Sequence, residues 1–156
     1  MEYRKIGSTD MEASVISIGA WAMGGWMWGG TDEKDSIEAI HAAFDEGVNF
    51  IDTAPIYGFG LSEKVVGQAV KDRRDKVIIA TKCGMVCRDD AGDFVFNSTA
   101  QAIDSDGHIP VSIYQGGESI RNEAEKSLRR LDTDDIDVLQ THWQDSTTPI
   151  SETMET

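Results

Sequence analysis

The sequence predicts an α/β fold in which parallel β-strands alternate with α-helices. Four short apolar stretches with strand character begin near residues 15, 49, 77 and 136, and helical patterns separate them. The first helix is joined to the strand that follows it by a connection of about two residues, which is typical of a βα unit. A polar residue ends three of the four apolar stretches. These observations place any functional groups at one edge of a parallel sheet.

Composition and charge narrow the class of protein. The chain has 156 residues, 40% hydrophobic and 27% charged, which suits a single domain over residues 1–156. A net charge of −14 argues against binding to nucleic acid. The apolar runs are far shorter than the roughly 18 residues that a membrane helix needs, so a soluble, cytoplasmic protein is expected. Cys83 and Cys87 are interpreted as reduced structural thiols, and no metal site is predicted.

The N-terminal residues are predicted to form a small hairpin. Residues 2–6 alternate apolar and polar side chains, residues 7–10 suit a turn, and residues 12–17 supply the partner or the lead-in to the next strand. Residues 15–20 are β-branched or small and predict the first buried strand. The glycine- and tryptophan-rich residues 22–30 are compatible with a packed loop or with a loop that contacts a ligand.

Helix and strand patterns then alternate along the chain. Thr31 or Asp32 is predicted to cap the first helix and Gly47 to end it. The further predicted elements are strands over 48–52, 77–82 and 136–142, helices over 62–70 and 118–131, and a helix start at Pro149. Residues 85–116 form a predicted insertion, in which 93–96 and 108–113 could pair as a flap. The insertion is compatible with a flexible lid and equally with an additional element that only packs against the fold.

Two architectures are compatible with four βα repeats: an open doubly wound sheet and half of a (β/α)8 barrel. Asp52, Lys82 and His142 each end the apolar face of a predicted strand. A nucleotide-binding open sheet would be expected to carry G-x-G-x-x-G directly after the first strand, and the glycine loop lacks it. The sequence therefore favours a TIM-barrel-type fold, with the chain supplying the first four βα units and an N-terminal hairpin.

Several motifs resemble the aldo-keto reductase family, in particular its bacterial, potassium-channel-β-subunit-like branch. They are Asp-Thr-Ala-x-x-Tyr-Gly at 52–58, Ala-Thr-Lys at 80–82, Gln-Thr-His-Trp at 140–143, Gly-Ala-Trp at 19–21 and the segment 126–137. The resemblance extends over essentially the whole chain. It implies a (β/α)8 barrel that uses NADPH, usually in preference to NADH, to reduce aldehydes and ketones.

The resemblance also implies catalytic roles for four residues. Carbonyl reduction needs a proton on oxygen, and Tyr57 would donate it. An ammonium group near the phenol oxygen stabilises the phenolate, which is the role expected for Lys82. Asp52 would hold the lysine by a charge-assisted hydrogen bond, and His142 would donate to the substrate oxygen and orient it.

Further residues are expected to bind the cofactor and a small carbonyl substrate. Cofactor contacts are expected from Gly19, Ala20, Trp21 and the ribose side of Asp52, although Ala20 stands where the family often has threonine. Substrate contacts are expected from Trp21, Tyr57, His142 and Trp143. Trp21, Trp26 and Trp28 together indicate an apolar wall.

The family's barrel needs about 250 residues, so this chain corresponds to its N-terminal half. Three hypotheses follow: a fragment whose C-terminal half is missing, a homo-oligomer in which two halves close a barrel, or a truncated, non-catalytic half-barrel that binds a partner. The phosphate-binding groups are expected in the missing half. Within this chain, Arg73-Arg74 and Arg129-Arg130 are the paired arginines, and they are predicted to be solvated helix ends.

Overall fold

The computed structural model describes residues 1–88, 90–98 and 109–156. The strands of this part of the chain are β1 (Tyr3–Lys5), β2 (Glu12–Ser14), β3 (Ile18–Gly19), β4 (Phe50–Asp52), β5 (Ile78–Cys83), β6 (Met85–Val86), β7 (Asp93–Ser98), β8 (Ile109–Ile113) and β9 (Val138–Thr141). The helices are α1 (Glu33–Asp45), α2 (Leu61–Val70), α3 (Gly117–Leu131) and α4 (Ile150–Met154), with 3-10 turns at Ala22–Gly24 and Arg74–Lys76.

A four-stranded parallel sheet forms the centre of the fold. Its strands lie in chain order, β3-β4-β5-β9, with Ile51 of β4 paired to Ile18 on one side and Ile79 on the other. Ala80 of β5 pairs with Val138 of β9. Within this sheet the strand order does not reverse, whereas a doubly wound sheet reverses at its switch point. The arrangement is the one expected of half a (β/α)8 barrel.

Helices α1, α2 and α3 pack against one face of this sheet. Ile51 and Ile79 are completely buried in the resulting core. Helix residues in the same core are Ile40 of α1, Val65, Val66, Ala69 and Val70 of α2, and Leu131 of α3. Because side chains alternate along a strand, Asp52 and Lys82 lie on the opposite face, which corresponds to the inside of a barrel.

The predicted N-terminal hairpin is present. Strands β1 and β2 pair antiparallel, with Tyr3 opposite Ser14. Asn49 connects the hairpin to the parallel sheet, because its side chain accepts from the Ser14 amide at 2.7 Å and donates to the Glu12 carbonyl at 2.9 Å. The hairpin is therefore fixed beside the N-terminal end of β4.

The first parallel strand is shorter than the predicted 15–20. The Ser14 hydroxyl donates to the carbonyl of Ile16 at 2.7 Å, and the Val15 amide donates to the Glu2 carbonyl of the hairpin at 3.0 Å. Val15 and Ile16 are exposed. Strand β3 begins at Ile18, where pairing with β4 begins.

The ends of the first helix agree with the prediction. The Asp32 carboxylate accepts from the amide of Asp35 at 3.0 Å and so caps α1. At the other end, Gly47 has a φ of +85° and its amide donates to Phe44 O at 2.9 Å. The chain then enters β4 within three residues, as a βα repeat requires.

Part of the predicted insertion forms a second sheet, β6-β8-β7, in which β7 and β8 pair antiparallel. Ile109 and Val111 of β8 bury against Ala54, Ile56 and Phe59, which follow β4. The described strands of the insertion are thus packed against the loop that carries Tyr57. His108, the first residue of the predicted 108–113 strand, lies outside the described residues.

The prediction of solvated ends for Arg73-Arg74 is wrong for Arg74. Its side chain is mostly buried and donates to Asp135 at 2.7 Å and to Asp137 at 2.6 Å. Asp137 also accepts from the amide of Ile79 in β5 at 2.8 Å. Arg74 therefore joins the segment before β5 to the segment before β9.

The same prediction is wrong for Arg130. Its Nε donates to Glu63 at 2.5 Å, and Glu63 is completely buried. The second carboxylate oxygen of Glu63 accepts from the Thr81 hydroxyl at 2.6 Å. Arg129, by contrast, is exposed and lies 3.7 Å from Glu125. Thus the two neighbouring arginines have opposite environments.

None of the helices in the described ranges is both long enough and apolar enough to span a membrane.

Candidate active site

Lys82 and Asp52 form an ion pair at the ends of adjacent parallel strands. The ammonium nitrogen lies 2.7 Å from each carboxylate oxygen of Asp52 and donates to the Thr53 carbonyl at 2.9 Å. The Lys82 side chain is 14% exposed and that of Asp52 is 34% exposed. All three ammonium protons have an acceptor in this arrangement, so the lysine is held in one position.

Tyr57 lies beside this pair, in the loop between β4 and α2. The Lys82 nitrogen is 4.9 Å from the centre of the Tyr57 ring and lies over its face. This is cation–π packing, which holds the ring against the ammonium group. In this structure the lysine therefore meets the ring of Tyr57.

His142 completes the group on the next strand end, directly after β9. Its ring meets Tyr57 edge-on, with ring centres 5.7 Å apart. Its amide donates to the Cys83 carbonyl at 2.8 Å, which extends the β5–β9 pairing by one residue. The structure thus brings together the four residues whose proximity the sequence predicted: Asp52, Tyr57, Lys82 and His142.

The electrostatic surroundings favour a neutral His142. Burial lowers the pKa of the imidazole below its ordinary 6.5, and the nearby Lys82 ammonium lowers that pKa further. The Asp52 carboxylate acts in the opposite direction and only partly offsets these effects. A neutral ring keeps one N–H that can donate to an oxygen atom.

Two glycines bring the Tyr57 loop close to the 3-10 turn at residues 22–24. A Cβ at Gly58 would lie 2.0 Å from the Gly24 carbonyl oxygen, and a Cβ at Gly24 would lie 2.5 Å from the Tyr57 carbonyl carbon. Gly58 also has a φ of +65°. Only glycine at both positions permits this contact between the two backbones.

Aromatic residues of the glycine-rich loop line one side of the site. Trp21 stacks at a tilt on Tyr57 with ring centres 6.0 Å apart, and Trp28 meets Trp21 edge-on at 5.4 Å. Both tryptophans are exposed. Trp26 instead packs on Phe59 and Phe96 under the insertion. Trp21 and Trp28 thus form an exposed apolar surface beside Tyr57 that Trp26 does not join, and a role of this surface as a substrate wall stays a prediction.

The predicted cofactor-binding residues at the end of β3 differ in accessibility. Gly19 is exposed, and a Cβ placed on it would have no atom within 4 Å. Ala20 is completely buried, its amide donates to Asp52 O at 2.8 Å and its carbonyl accepts from Ser62 at 2.7 Å. Open space for a ligand therefore exists at Gly19 and Trp21, while the polar groups of Ala20 are already paired.

Trp143 follows His142, and the residue is 56% exposed. The Gln115 side chain donates to the Trp143 carbonyl. Asp145, two residues further on, is buried and accepts from the Gln115 amide at 2.9 Å. These bonds fix the backbone after β9, and a substrate contact by Trp143 stays a prediction.

Sequence reasoning missed Thr53 and Ser62, whose buried hydroxyls lie 2.8 Å apart behind the ion pair. The only signal in the sequence is their place at the end of a strand and the start of a helix, which is shared by many structural residues. Among the described residues, no three or more histidine, cysteine, aspartate or glutamate side chains are grouped so that they could hold a metal ion.

Comparison with known proteins identifies a family and several similar proteins. The model of the aldo/keto reductase family matches residues 15–156. Aldo-keto reductase YhdN of Bacillus subtilis is 48% identical over 99% of this chain and 42% of its own length. The NADH-specific methylglyoxal reductase of Escherichia coli is 40% identical over 96% of this chain and 45% of its own length.

A solved structure agrees with these matches. The glycerol dehydrogenase AKR11B4 of Gluconobacter oxydans superposes with a TM-score of 0.76 at 40% identity, over 97% of this chain and 42% of that protein. The chain thus spans less than half the length of the relatives it matches, and its fold is about half of their (β/α)8 barrel. The chain belongs to the aldo/keto reductase family.

Proposed function

We propose that this chain carries the proton-delivery half of a nicotinamide-dependent carbonyl reductase, in which aldehydes or ketones become alcohols. The observation that carries the proposal is the Lys82 ammonium, which is held by both oxygens of Asp52 and packed on the ring of Tyr57. Tyr57 donates its phenol proton to the carbonyl oxygen of the substrate as a general acid.

Lys82 and Asp52 support that proton transfer. The Tyr57 side chain becomes a phenolate when it gives up its proton, and a nearby positive charge stabilises the phenolate. Lys82 supplies the charge, and Asp52 together with the Thr53 carbonyl keeps it beside the ring. A group that is already in place needs no rearrangement during the reaction, which makes its electrostatic effect larger.

His142 orients the substrate. Its neutral ring is adjacent to Tyr57, so its N–H can donate to the same carbonyl oxygen that receives the proton. Two donors directed at one oxygen also fix the direction in which the carbonyl carbon faces. Trp21, Trp28 and Trp143 provide apolar surface for the remainder of the substrate.

Reduced nicotinamide supplies the hydride that the carbonyl carbon accepts. Gly19, Trp21 and Asp52 would hold the cofactor, and the open space at Gly19 fits this role. Ala20, between Gly19 and Trp21, is completely buried and would support these two residues from behind. We propose NADPH as the preferred form, as the family resemblance implies. A relative named as NADH-specific shows that the preference needs a direct measurement.

The test compares two tyrosine variants of the protein. We expect wild type to consume NADPH in the presence of 4-nitrobenzaldehyde, and Tyr57→Phe to lower kcat by about 100- to 10,000-fold because the general acid is gone. Tyr3→Phe is the matched control, since its hydroxyl bonds Gly47 in the N-terminal region. Equal rates for Tyr57→Phe and wild type would disprove the assignment, and the same assay with NADH settles the cofactor preference.

A second candidate is a half-barrel module without turnover that self-associates or binds a partner. It is favoured by exposed apolar side chains at Leu139 in the outer strand β9 and at Val15 and Ile16, which precede the other outer strand, β3. This candidate predicts a stable dimer or complex and no binding of NADPH. A monomer in analytical ultracentrifugation that binds NADPH would exclude it.

We further propose that residues 1–156 act as one domain into which 85–116 are inserted. A cytoplasmic location is consistent with use of a nicotinamide cofactor and with two free thiols, Cys83 and Cys87. Limited proteolysis tests the domain proposal. Cleavage confined to residues 85–116 that leaves the remaining fragments associated is the expected result.

A further inference from the structure

Ser62 lies in the first turn of α2, behind the site, and is completely buried. Its hydroxyl donates to the carbonyl of Ala20 at 2.7 Å and lies 2.8 Å from the hydroxyl of Thr53. Ala20 follows β3 and Thr53 follows β4, so this one hydroxyl connects the ends of two adjacent strands.

The direction of these hydrogen bonds follows from the groups themselves. The Ala20 carbonyl can only accept, so it takes the single proton of the Ser62 hydroxyl. The Ser62 oxygen can then only accept from Thr53, which makes the Thr53 hydroxyl the donor in that pair. The chain therefore runs from Thr53 to Ser62 to Ala20 in a single orientation.

This chain continues to the residues of the proposed reaction. The amide of Ala20 donates to Asp52 O at 2.8 Å, and the carbonyl of Thr53 accepts from the Lys82 ammonium at 2.9 Å. The amide of Ser62 also donates to the Tyr57 carbonyl at 3.2 Å. Ser62 is thus bonded to Tyr57 directly and to Lys82 through Thr53.

The polar backbone and hydroxyl groups of Thr53 are all in use. Its amide donates to Ala80 O at 2.9 Å, its carbonyl accepts from Lys82, and its hydroxyl donates to Ser62. Thr53 is completely buried, so it cannot turn without breaking one of these bonds in a site shielded from water. The residue whose carbonyl accepts from the Lys82 ammonium is therefore the same residue whose hydroxyl bonds Ser62.

We propose that Ser62 is a positioning residue that, through Thr53, holds the Lys82 ammonium against Tyr57 and ties it to the strand end at Gly19–Trp21. The consequence for catalysis rests on the function proposed above, whereas the effect on the lysine does not. Loss of the Ser62 hydroxyl leaves the Thr53 hydroxyl without its acceptor, and leaves the Ala20 carbonyl with the Met23 amide alone, which donates to it at 3.1 Å. Thr53 then reorients to find a new acceptor, and its carbonyl leaves Lys82.

His142 reports on Lys82 without any need for turnover. The Lys82 ammonium is one of the groups that lower the pKa of the His142 ring, so displacement of Lys82 raises that pKa towards its ordinary value of 6.5. The chain has 3 histidines, and a His142→Gln variant assigns the signal. The measurement is an NMR titration of the imidazole protons in the whole 156-residue chain.

The variants are Ser62→Ala and, as the matched control, Ser127→Ala. Ser127 is also a completely buried helical serine, and its hydroxyl accepts from Arg130 at 3.3 Å, away from Thr53. We expect Ser62→Ala to raise the pKa of His142 and Ser127→Ala to leave it unchanged. An unchanged His142 titration in folded Ser62→Ala would overturn the proposal.

A second pair of variants applies if Ser62→Ala does not fold. Thr53→Val keeps the shape of the side chain and removes its hydroxyl, while Thr53→Ser keeps the hydroxyl. We expect the valine variant to raise the pKa of His142 and the serine variant to restore the wild-type titration. Identical His142 titrations in these two variants would also overturn the proposal.

A kinetic measurement then separates this proposal from the proposed function. In the active protein, Ser62→Ala should lower kcat by about 10- to 100-fold with little change in KM for the carbonyl substrate, as expected for a misplaced catalytic group. If wild type shows no reductase activity, the proposed function fails while the NMR comparison still decides the role of Ser62. If the activity is present and kcat for Ser62→Ala equals that of wild type, Ser62 does not position Lys82 for catalysis.

Discussion

The Lys82 ammonium donates to both carboxylate oxygens of Asp52 at 2.7 Å, across two neighbouring strands of the parallel sheet. The lysine side chain is mostly shielded from water, so its charge depends on this carboxylate for stabilisation. The pair serves both the fold and the proposed function. The same contact connects the two strand ends and places a positive charge beside Tyr57.

Removal of the Asp52 charge should affect both stability and activity. Loss of one partner of a buried ion pair costs roughly 3–5 kcal/mol, and because the Asp52 side chain is 34% exposed we expect about 2 kcal/mol for Asp52→Asn. Urea unfolding measures this value. The control is Asp10→Asn in the exposed Lys5–Asp10 pair, whose atoms are 3.4 Å apart, and there a change below about 0.5 kcal/mol is expected. Equal effects of the two substitutions would contradict the importance given to the Asp52 pair.

Glu123 of α3 should make the stability depend on pH. Burial raises the pKa of its carboxyl group from 4.5 to about 7, although the Gly84 amide donates to it at 3.0 Å. The folded state therefore binds more protons than the unfolded state between these values, and its stability falls as the pH rises through them. The stabilisation that the folded state gains from the protonated Glu123 is fully present below pH 4.5 and is lost above about pH 7.

Glu123→Gln tests this expectation because glutamine cannot ionise. Relative to the variant, wild type should lose on the order of 3 kcal/mol of unfolding free energy between about pH 4 and pH 8. The matched control is Glu125→Gln, on the same helix but exposed, which should keep the pH dependence of wild type. A constant difference between wild type and Glu123→Gln at every pH would show that Glu123 does not titrate in this range.

The adjacent residues Arg129 and Arg130 should respond differently to the same substitution. Arg130→Met leaves the completely buried Glu63 without its charge partner and should reduce the unfolding free energy by about 3–5 kcal/mol. Arg129→Met removes only an exposed pair at 3.7 Å and should change it by less than about 0.5 kcal/mol. Chemical denaturation of both variants gives the comparison. Similar losses of unfolding free energy in the two variants would mean that the buried Glu63–Arg130 pair stabilises the fold no more than the exposed pair does.

Local patterns were sufficient to predict most of the secondary structure. Helix α3 extends over Gly117–Leu131 where residues 118–131 were predicted, and β5 extends over Ile78–Cys83 where 77–82 were predicted. In both, the apolar spacing along the chain is itself the reason that the element forms. Strand β3 was predicted too long: residues 15–17 have strand-like composition, but the Val15 amide bonds Glu2 in the hairpin and pairing with β4 begins only at Ile18.

The four proposed catalytic residues were also within reach of the sequence, but their supporting residues were not. Asp52, Lys82 and His142 follow apolar strands with the same parity, so a parallel sheet must bring them to one edge. Ser62 and Trp26 carry no such signal. The partners of Ser62 depend on how α2 packs on the sheet, and Trp26 packs against an insertion that comes about 70 residues later.

The sequence by itself determined the parallel α/β order, the family motifs and the set of residues at the strand ends, because these depend on periodicity within short segments. Only the tertiary structure decided which charges are buried, as with Arg130 against Arg129, and which hydroxyls meet, as with Thr53 and Ser62. The physical reason is that burial and hydrogen bonding depend on neighbours distant in the chain. Those neighbours are defined only when the helices dock on the sheet.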